Sequence, residues 1–265
     1  MTLRITILGC GASTGVPRVG NDWGACNPDN PKNRRRRCSI LIEKIAPEGC
    51  TSVLIDTSPD LREQLLSAGV KRLDGVIYTH DHADHTHGID DLRVLCYLNR
   101  RRIDVWADPR TLSLLRRRFD YCFETPPGSN YPPILNGHVI VNHEPFTIGG
   151  PGGDLTFQPF RQIHGDIDTL GLRVEGVAYS CDLNGLPGES LAHVSGLELW
   201  ILNSLRYTPH PSHLSMAAAL GWIERMRPRR AVLTHLNVDI DYDELAAKLP
   251  PGVVPAFDGM VLEAA

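Results

Sequence analysis

The chain has 265 residues, of which 42% are hydrophobic and 22% are charged, and its formal net charge is −4. This length and composition fit one sizeable globular domain, and the charge excludes a global attraction to nucleic acid. No apolar run approaches the roughly 18 residues of a membrane span, and seven cysteines without a Cys-x-x-Cys pair argue against a disulfide framework. The N-terminus lacks a signal-peptide pattern, so we expect a cytoplasmic protein with no membrane partner.

The first predicted element is a strand at residues 4–9, which ends in a loop of small residues from Gly9 to Pro17. Glycines allow such a loop to approach a ligand closely, although tight turns use the same residues. No Gly-Lys-Ser/Thr follows, so this is not a P-loop, and Ser13 and Thr14 are candidate substrate contacts. A polar insert at 18–37 contains the run Arg34–Arg37, which is typical of a solvated face and could also form an anion-attracting rim.

Hydrophobic periodicity predicts the elements of the first half. They are strands at 38–43, 52–56, 75–78 and 103–107, and helices at 59–68, 89–98 and 108–119. Asp56 ends its strand and has two open interpretations: it hydrogen-bonds a metal-ligating histidine, or it starts the following turn. Residues 124–133 contain four prolines, which predicts a loop that could cover a site.

The second half is richer in predicted strands. They are expected at 139–142, 155–160, 169–175, 176–181, 198–202 and 231–235, with a short strand near Met260, a loop at 203–214 and helices at 215–226 and 242–248. No linker or composition break separates the halves. We therefore predict a single α/β domain over residues 1–265 in which each half supplies a strand, a ligand loop and a helix.

The densest group of chemically active residues lies at 79–88, between a predicted buried strand and a helix. His80 and His82 alternate along an extended loop, so their imidazoles can converge on one ion. Asp84 and His85 come at the next turn and can face a second ion. Imidazole and carboxylate suit zinc, manganese or iron, and two metals about 3.5–4 Å apart would stabilise both the attacking and the leaving oxygen of a displacement. The alternative is a solvated loop rich in histidine.

This His-x-His-x-Asp-His string resembles the signature of the metallo-β-lactamase superfamily of binuclear hydrolases. The resemblance implies an αββα sandwich, with two mixed β-sheets flanked by helices and the metals at one edge. It also implies three further ligands at strand ends, namely His164, Asp182 and His235. The implied sets are His80, His82 and His164 on one ion and Asp84, His85 and His235 on the other, with Asp182 between them.

Two divalent ions, zinc or manganese, would lower the pKa of a bridging water towards about 7 and make it a nucleophile. A general acid could then assist the leaving group. His213 is the best candidate because the pKa of histidine lies near neutral pH, although it could instead cap the helix that begins near Ser215. We expect catalytic roles for Asp84, Asp182 and His213, and substrate contacts from Ser13, Thr14, Arg206 and His213. His210 is expected to be peripheral.

Over nearly its whole length, the chain more closely resembles the phosphoribosyl 1,2-cyclic phosphodiesterase (PhnP-like) group. The supporting stretches are 8–17, 80–88, 210–213, 233–235 and 257–260. The implied reaction hydrolyses a cyclic phosphodiester, a phosphoribosyl cyclic phosphate or a nucleotide-like relative, to a phosphomonoester by means of a metal-bridging hydroxide. That group often has a structural zinc in its insert. Here only Cys26 remains of the pattern, and Val238 stands near the position of the partnering histidine, so we expect no structural zinc.

Four other functions remain open. A glyoxalase II-like thioesterase or lactonase could share every ligand, and a tRNase Z-like RNA phosphodiesterase would need a protruding RNA-binding arm. A coenzyme-biosynthesis protein with different chemistry and a non-enzymatic metal-binding module are the remaining two. The expected partner is a small phosphodiester substrate, with no stable nucleic-acid partner. The sequence does not fix the oligomeric state, and a homodimer, the commonest soluble assembly, is one possibility.

Overall fold

Two seven-stranded β-sheets form the centre of the computed structural model, which describes residues 2–264. The strands of the first sheet are β1 (Thr2–Gly9), β2 (Ser39–Ala46), β3 (Gly49–Ile55), β4 (Gly75–Ile77), β5 (Ile103–Ala107), β6 (Leu135–Val139) and β14 (Val261–Ala264). Their order is β14-β1-β2-β3-β4-β5-β6. From β3 to β6 the strands run parallel, so their carboxyl ends meet at one edge.

The second sheet repeats this arrangement. Its strands are β7 (Phe146–Ile148), β8 (Leu155–His164), β9 (Ile167–Val174), β10 (Val177–Ser180), β11 (Leu199–Asn203), β12 (Arg230–Thr234) and β13 (Val253–Pro255). They are ordered β13-β12-β11-β10-β9-β8-β7, and β10 to β13 run parallel. Each sheet therefore has a parallel half whose strand ends can present loops to a shared site.

Helices cover the outer faces of both sheets. They are α1 (Leu61–Ser67), α2 (Ala83–Thr86), α3 (Leu92–Asn99), α4 (Pro109–Arg118), α5 (Asp120–Phe123), α6 (Met216–Met226) and α7 (Tyr242–Lys248), with 3-10 turns at Pro31–Asn33, Ile89–Asp91 and Gly188–Val194. Asp108, Ser215 and Asp241 accept backbone N–H groups as N-caps of α4, α6 and α7. None of the helices within residues 2–264 is long and apolar enough to span a bilayer.

The strands carry apolar side chains on both faces. In β3, Val53 and Ile55 face the core between the sheets, whereas Leu54 faces the layer of α1, α3 and α4. In β11, Ile201 faces the central core and Trp200 the layer of α6 and α7. Each such fully buried side chain contributes about 1.5–3 kcal/mol. The αββα sandwich predicted from the sequence is confirmed.

Several predicted boundaries were wrong. The strand expected at 139–142 is β6, which lies at 135–139 and pairs with β5 in the first sheet rather than the second. Strand β8 continues beyond residue 160 to His164, because the backbone of its last four residues still pairs with β9. Strands β7 and β13 and helices α2 and α5 were not predicted, since three or four residues are too few to show a period. Residues 124–133 contain no helix or strand, as expected.

Candidate active site

The predicted ligands follow the ends of strands from both sheets. His80 comes after β4, His164 ends β8, Asp182 follows β10 and His235 follows β12. Asp182 and His235 have φ values of +49° and +61°, and Asp56 after β3 has +64°. Non-glycine residues in the left-handed region are uncommon and concentrate at functional sites. The backbone therefore turns sharply at these strand ends and directs the side chains into one cleft edge.

Two groups of ligand atoms form at this edge. His80, His82, His164 and Asp182 bring their donor atoms within 4.8 Å of one another. The donor atoms of His85, Asp182 and His235 form a second such group, which also includes Cys181. The structure thus brings together the two ligand sets expected from the sequence, and the assignment of metal-binding roles to these residues remains a prediction.

Asp182 lies between the two groups, and each of its oxygens faces a different one. Its Oδ2 atom is 3.6 Å from Nε2 of His80 and 3.7 Å from Nε2 of His164. Its Oδ1 atom is 3.1 Å from Nε2 of His235 and 3.5 Å from Nε2 of His85. A carboxylate with this division can contribute one oxygen to each of two ions. Asp84 joins the second group, with Oδ2 at 3.5 Å from His85 Nε2 and 3.9 Å from His235 Nε2.

Unpaired nitrogen atoms show that the site suits cations. The Nε2 atoms of His80, His85 and His235 are buried and have no hydrogen-bond partner. A buried polar atom left without a partner costs about 1–3 kcal/mol, so such atoms are rare without a functional reason. Imidazole nitrogens and carboxylate oxygens are donors that divalent transition metals accept. The donor set therefore fits divalent metal ions.

Hydrogen bonds at the opposite ring nitrogens fix three of the imidazoles. Nδ1 of His85 lies 2.7 Å from Asp56 Oδ2. Nδ1 of His80 lies 3.0 Å from Thr79 Oγ1, and Nδ1 of His164 lies 2.6 Å from the Ser212 carbonyl oxygen. Such bonds set the tautomer and direct Nε2 towards the metal. Of the two interpretations of Asp56, the hydrogen bond to a site histidine is the one observed.

Glycine at position 88 lets the loop of the His80 cluster approach the end of β3. A Cβ atom there would collide with the Ser58 carbonyl oxygen. The Gly88 N–H instead donates to the Thr57 carbonyl at 2.9 Å, and the Thr57 N–H donates to the His85 carbonyl at 2.8 Å. These bonds hold the cluster against the loop that carries Asp56.

The carboxylates dominate the electrostatics of the second group. Burial favours neutral His235, but Asp182 overrides this effect and raises the pKa of His235 to about 9. Burial likewise opposes the charge on His85, yet Asp182, Asp84 and Asp56 raise its pKa well above the usual value. At His80 burial prevails and lowers the pKa. The carboxylates thus favour positive charge in the second group, which divalent cations can supply.

His213 lies directly beside both groups. Its ring is stacked on His235 at 4.7 Å between centroids and meets the His164 ring edge-on at 4.6 Å. Its Nδ1 atom is buried without a partner, and burial lowers its pKa to about 3. Ser215 caps helix α6, so the alternative role of His213 as the helix cap is wrong. His210 lies one step further out, with its ring 5.0 Å from that of His213.

The other predicted substrate contacts are less directly placed. Arg206 donates from Nη2 to the Pro209 carbonyl at 2.7 Å and from Nε to the Thr208 carbonyl at 3.3 Å, so its guanidinium braces its own loop. Ser13 and Thr14 are exposed on the loop after β1. That loop reaches the site edge through the bond from Ala12 N–H to the Leu236 carbonyl, 3.2 Å long. Their role as substrate contacts stays a prediction.

Sequence reasoning missed one residue that braces the cluster. Asp81 is 4% exposed and accepts hydrogen bonds from Arg110 Nη1 at 2.6 Å and Arg118 Nη2 at 2.9 Å, both on helix α4. It lies between His80 and His82, so these ion pairs hold the His-x-His loop. An acidic residue within the cluster was visible in the sequence, but no local pattern indicated two arginines about 30 residues away.

The arginine run of the insert is not a uniform solvated face. Arg35 is 2% exposed and donates to the Asn237 carbonyl at 3.2 Å and to Asn33 Oδ1 at 3.2 Å. Arg36 pairs with Asp258 at 3.0 Å, and Arg37 with Asp60 at 3.0 Å. The solvated-face interpretation is therefore wrong for Arg35, whose buried guanidinium ties the insert to the loop after β12.

Cys26 lies beside the guanidinium of Arg35, with its Sγ atom 3.8 Å from Nη1. The thiol is also 3.3 Å from the Val238 carbonyl oxygen and 3.2 Å from that of Ile240. Val238 packs against Cys26, in agreement with the position inferred for it from the sequence. The absence of a structural zinc from this insert stays a prediction.

Comparison with known proteins identifies the family. Residues 51–236 match the family model of the beta-lactamase superfamily domain, and this range contains all seven predicted ligands. The chain belongs to the metallo-β-lactamase superfamily. Its fold is that of the metal-dependent hydrolases in this superfamily.

Within the superfamily the chain is PhnP-like. The crystal structure of a diphosphatase from the PhnP family superposes with a TM-score of 0.88 at 33% identity, covering 100% of this chain and 98% of that one. The short form of human tRNase Z has a TM-score of 0.67 at 16% identity, covering 98% of each chain, and shares the fold.

One curated relative is longer. An octanoyltransferase of Porphyromonas gingivalis is 35% identical over 262 residues, which cover 97% of this chain and 51% of that protein. The metallo-β-lactamase chain described above thus spans about half the length of this relative.

Proposed function

We propose that this metallo-β-lactamase-fold protein is a binuclear metal-dependent phosphodiesterase. The proposed substrate is a small cyclic phosphodiester, a phosphoribosyl cyclic phosphate or a related nucleotide-like compound, which is opened to a phosphomonoester. The observation that carries the proposal is the position of Asp182, whose two oxygens face two separate groups of histidines. Two divalent ions at such a site stabilise both the attacking and the leaving oxygen of a displacement at phosphorus.

Each group has a defined set of donors for zinc or manganese. His80, His82 and His164 would hold one ion, and Asp84, His85 and His235 the other, with Asp182 contributing to both. The protein supplies the rigidity of this arrangement through the hydrogen bonds of Asp56, Thr79 and the Ser212 carbonyl to the histidine rings. Fixed donors and acceptors need no rearrangement during the reaction, which is a main source of enzymatic rate enhancement.

His213 is the proposed residue for contact with the phosphoryl group or the leaving oxygen. Its low pKa of about 3 means that the ring is neutral in the free protein at neutral pH. A neutral ring can donate one N–H hydrogen bond to an oxygen that gains negative charge. Proton transfer from His213 to the leaving group requires that the negative charge of a bound phosphate first raise the pKa of the ring.

The insert between β1 and β2 favours a small substrate over an RNA. Within the described residues it folds back on the loop before α7 instead of protruding: Ala25 N–H donates to the Val238 carbonyl at 2.9 Å, and Asn33 Nδ2 to Asp241 Oδ2 at 2.6 Å. A tRNase Z-like activity would need an extended basic arm. The similarity to a diphosphatase of the PhnP family also supports a compact phosphate substrate.

The test is hydrolysis of bis(p-nitrophenyl) phosphate and of a ribose cyclic phosphate, before and after chelation, with metal content measured by elemental analysis. We expect about two metals per chain and a chelator-sensitive diesterase activity that Asp182→Ala abolishes. His138→Ala is the matched control, since His138 pairs with Asp104 on the first sheet, away from the ligand groups.

Three outcomes would contradict the proposal in different ways. Two metals with thioester or lactone hydrolysis and no diesterase activity would favour the glyoxalase II-like alternative. Cleavage of tRNA precursors in preference to small diesters would favour the tRNase Z-like one. No metal uptake by the chelator-free protein would exclude the ligand assignment itself.

The cytoplasmic location and the homodimer stay predictions. All seven cysteines are free thiols, which supports a reducing compartment. Helices α1 and α3 expose Leu66, Val94 and Leu98 side by side around a groove of about 260 Å³, and apolar patches of this kind occur at subunit interfaces. Light scattering at several protein concentrations would test the dimer, and Leu98→Glu should weaken it.

A further inference from the structure

Cys181 lies at the floor of the second ligand group. It is fully buried, and it directly precedes Asp182 at the end of β10. Its Sγ atom falls within 4.8 Å of the donor atoms of His85, Asp182 and His235, and it is 3.1 Å from Asp182 Oδ1. That oxygen is the one that faces the Nε2 atoms of His85 and His235. The sulfur therefore lies among the donor atoms proposed to hold the second ion.

The two histidines give an independent indication that a ligand belongs here. Nε2 of His85 and Nε2 of His235 are buried, have no hydrogen-bond partner, and face this same corner of the site. Zinc bonds of about 2.3 Å to sulfur and 2.0–2.1 Å to nitrogen, in a site that can expand from four donors to five, place neighbouring donors about 3–3.5 Å apart. Donor atoms that already lie within 4.8 Å need only a small inward movement to reach such a geometry.

The other buried thiols have different surroundings. Cys10 contacts Asp258, and Cys26 contacts backbone carbonyls of the 238–240 loop. Cys38 lies close to the site and is not independent of it. Its Sγ atom contacts Thr234 Oγ1 at 3.7 Å and the Gly11 carbonyl oxygen at 3.4 Å, and its thiol also interacts with that of Cys181. Among the described residues, Cys181 is the cysteine that joins a group of histidine and aspartate donors. Cys122, which is completely buried in the helix layer of the first sheet, is therefore the control for the loss of a buried thiol away from the site.

We propose that Cys181 is a sulfur ligand of the ion held by His85 and His235, and that this ligand gives the second position a preference for zinc over manganese. Thiolate is the form that binds metal, so its proton is released to solvent as the ion enters. Thiolate donors select zinc, whereas carboxylate and water suit manganese. The inference rests on the proposed binuclear site and deepens it, because it names the donor that distinguishes the two metal positions.

X-ray absorption of the zinc-loaded wild-type protein tests the proposal without any substitution. We expect sulfur at about 2.3 Å from zinc in addition to nitrogen and oxygen at about 2.0–2.1 Å. The cobalt-substituted protein should show a sulfur-to-cobalt charge-transfer band in the near ultraviolet. Cys181→Ser should lose both signals, and Cys122→Ser should keep them. A wild-type spectrum with only nitrogen and oxygen neighbours would overturn the proposal and leave Cys181 as a hydrogen-bond donor to Asp182.

Competition between zinc and manganese provides a second measurement. In equilibrium dialysis we expect Cys181→Ser to reduce the preference for zinc about tenfold, in the range found for residues that tune a metal site, and Cys122→Ser to leave it unchanged. Failure of this proposal is distinguishable from failure of the proposed function. Two bound metals and diesterase activity without a zinc–sulfur bond would refute the ligand alone, whereas a zinc–sulfur bond without diesterase activity would refute the reaction.

Discussion

Replacing Asp56 by asparagine should weaken metal binding about 10- to 100-fold while the chain stays folded. The Asp56 carboxylate is completely buried and accepts three hydrogen bonds, from Thr79 N–H and Thr79 Oγ1 at 2.8 Å each and from His85 Nδ1 at 2.7 Å. An amide keeps the shape but has only one acceptor oxygen. If its NH2 group faces His85, the ring must move its proton to Nε2, and that nitrogen can no longer bind an ion.

The expected loss corresponds to about 1.4–2.7 kcal/mol at 1.36 kcal/mol for each factor of ten. This range agrees with the worth of a hydrogen bond to a charged group, about 1.5–3 kcal/mol. Competition with a chromophoric chelator would give the metal dissociation constants, and kcat/KM on bis(p-nitrophenyl) phosphate at saturating metal would show whether refilling the site restores activity.

Asp104→Asn provides the matched control, since Asp104 Oδ1 contacts His138 Nε2 at 2.8 Å between strands β5 and β6 of the same sheet. It changes a carboxylate–histidine pair without touching the ligand groups, so metal affinity should stay within about twofold of wild type. Equal dissociation constants for Asp56→Asn and wild type would refute the orienting role of Asp56, and any loss of thermal stability would then belong to the fold.

Three further predictions concern the site and its support. His213→Ala should lower kcat on the diester about 100-fold with metal content unchanged, while His210→Ala changes it little; equal losses would contradict a direct role of His213. Metal affinity should rise with pH and level off above about pH 9. The pKa values of His235 and His85 are raised, so below that pH protons compete with metal for these two histidines. A metal affinity that stays constant between pH 6 and 9 in chelator competition would be inconsistent with this. In urea unfolding, Asp81→Ala should lower the free energy of unfolding by about 2 kcal/mol, because two arginines lose their buried partner. As a control, Asp90→Ala removes an exposed pair with Arg93 and should change the free energy of unfolding by less than about 0.5 kcal/mol. Equal effects of the two substitutions would refute the role of Asp81 in bracing the His-x-His loop.

The grouping of the candidate ligands was predictable from spacing and resemblance together. The spacing from His80 to His85 is local, and the resemblance to a superfamily linked it to His164, Asp182 and His235 at strand ends; the role of these residues as ligands stays a prediction. Apolar runs of four to eight residues marked most of the buried strands, and the resemblance implied their arrangement as a sandwich.

Partners distant in sequence were not predictable. Arg35 is part of a basic run that normally indicates solvent exposure, and its burial depends on acceptors in the insert and about 200 residues away. The pairs of Asp81 with Arg110 and Arg118 depend on how α4 packs against the cluster. Cys181 has no motif, and its position as a donor follows only from the register of β10 between β9 and β11.

The pairing of β14 with β1 bears on how the protein is made. Residues 261–264 form the strand beside the first one, and Asp258 accepts a hydrogen bond from the Cys10 N–H at 3.1 Å. Translation adds about 5–20 residues per second. Strand β1 can therefore pair with β14 only after more than 250 further residues have been synthesised. His235 also leaves the ribosome late, so the proposed second metal position can be complete only after residue 235 has been synthesised. A nascent chain stalled before that residue would display His80 and His82 without the histidine that completes the second position.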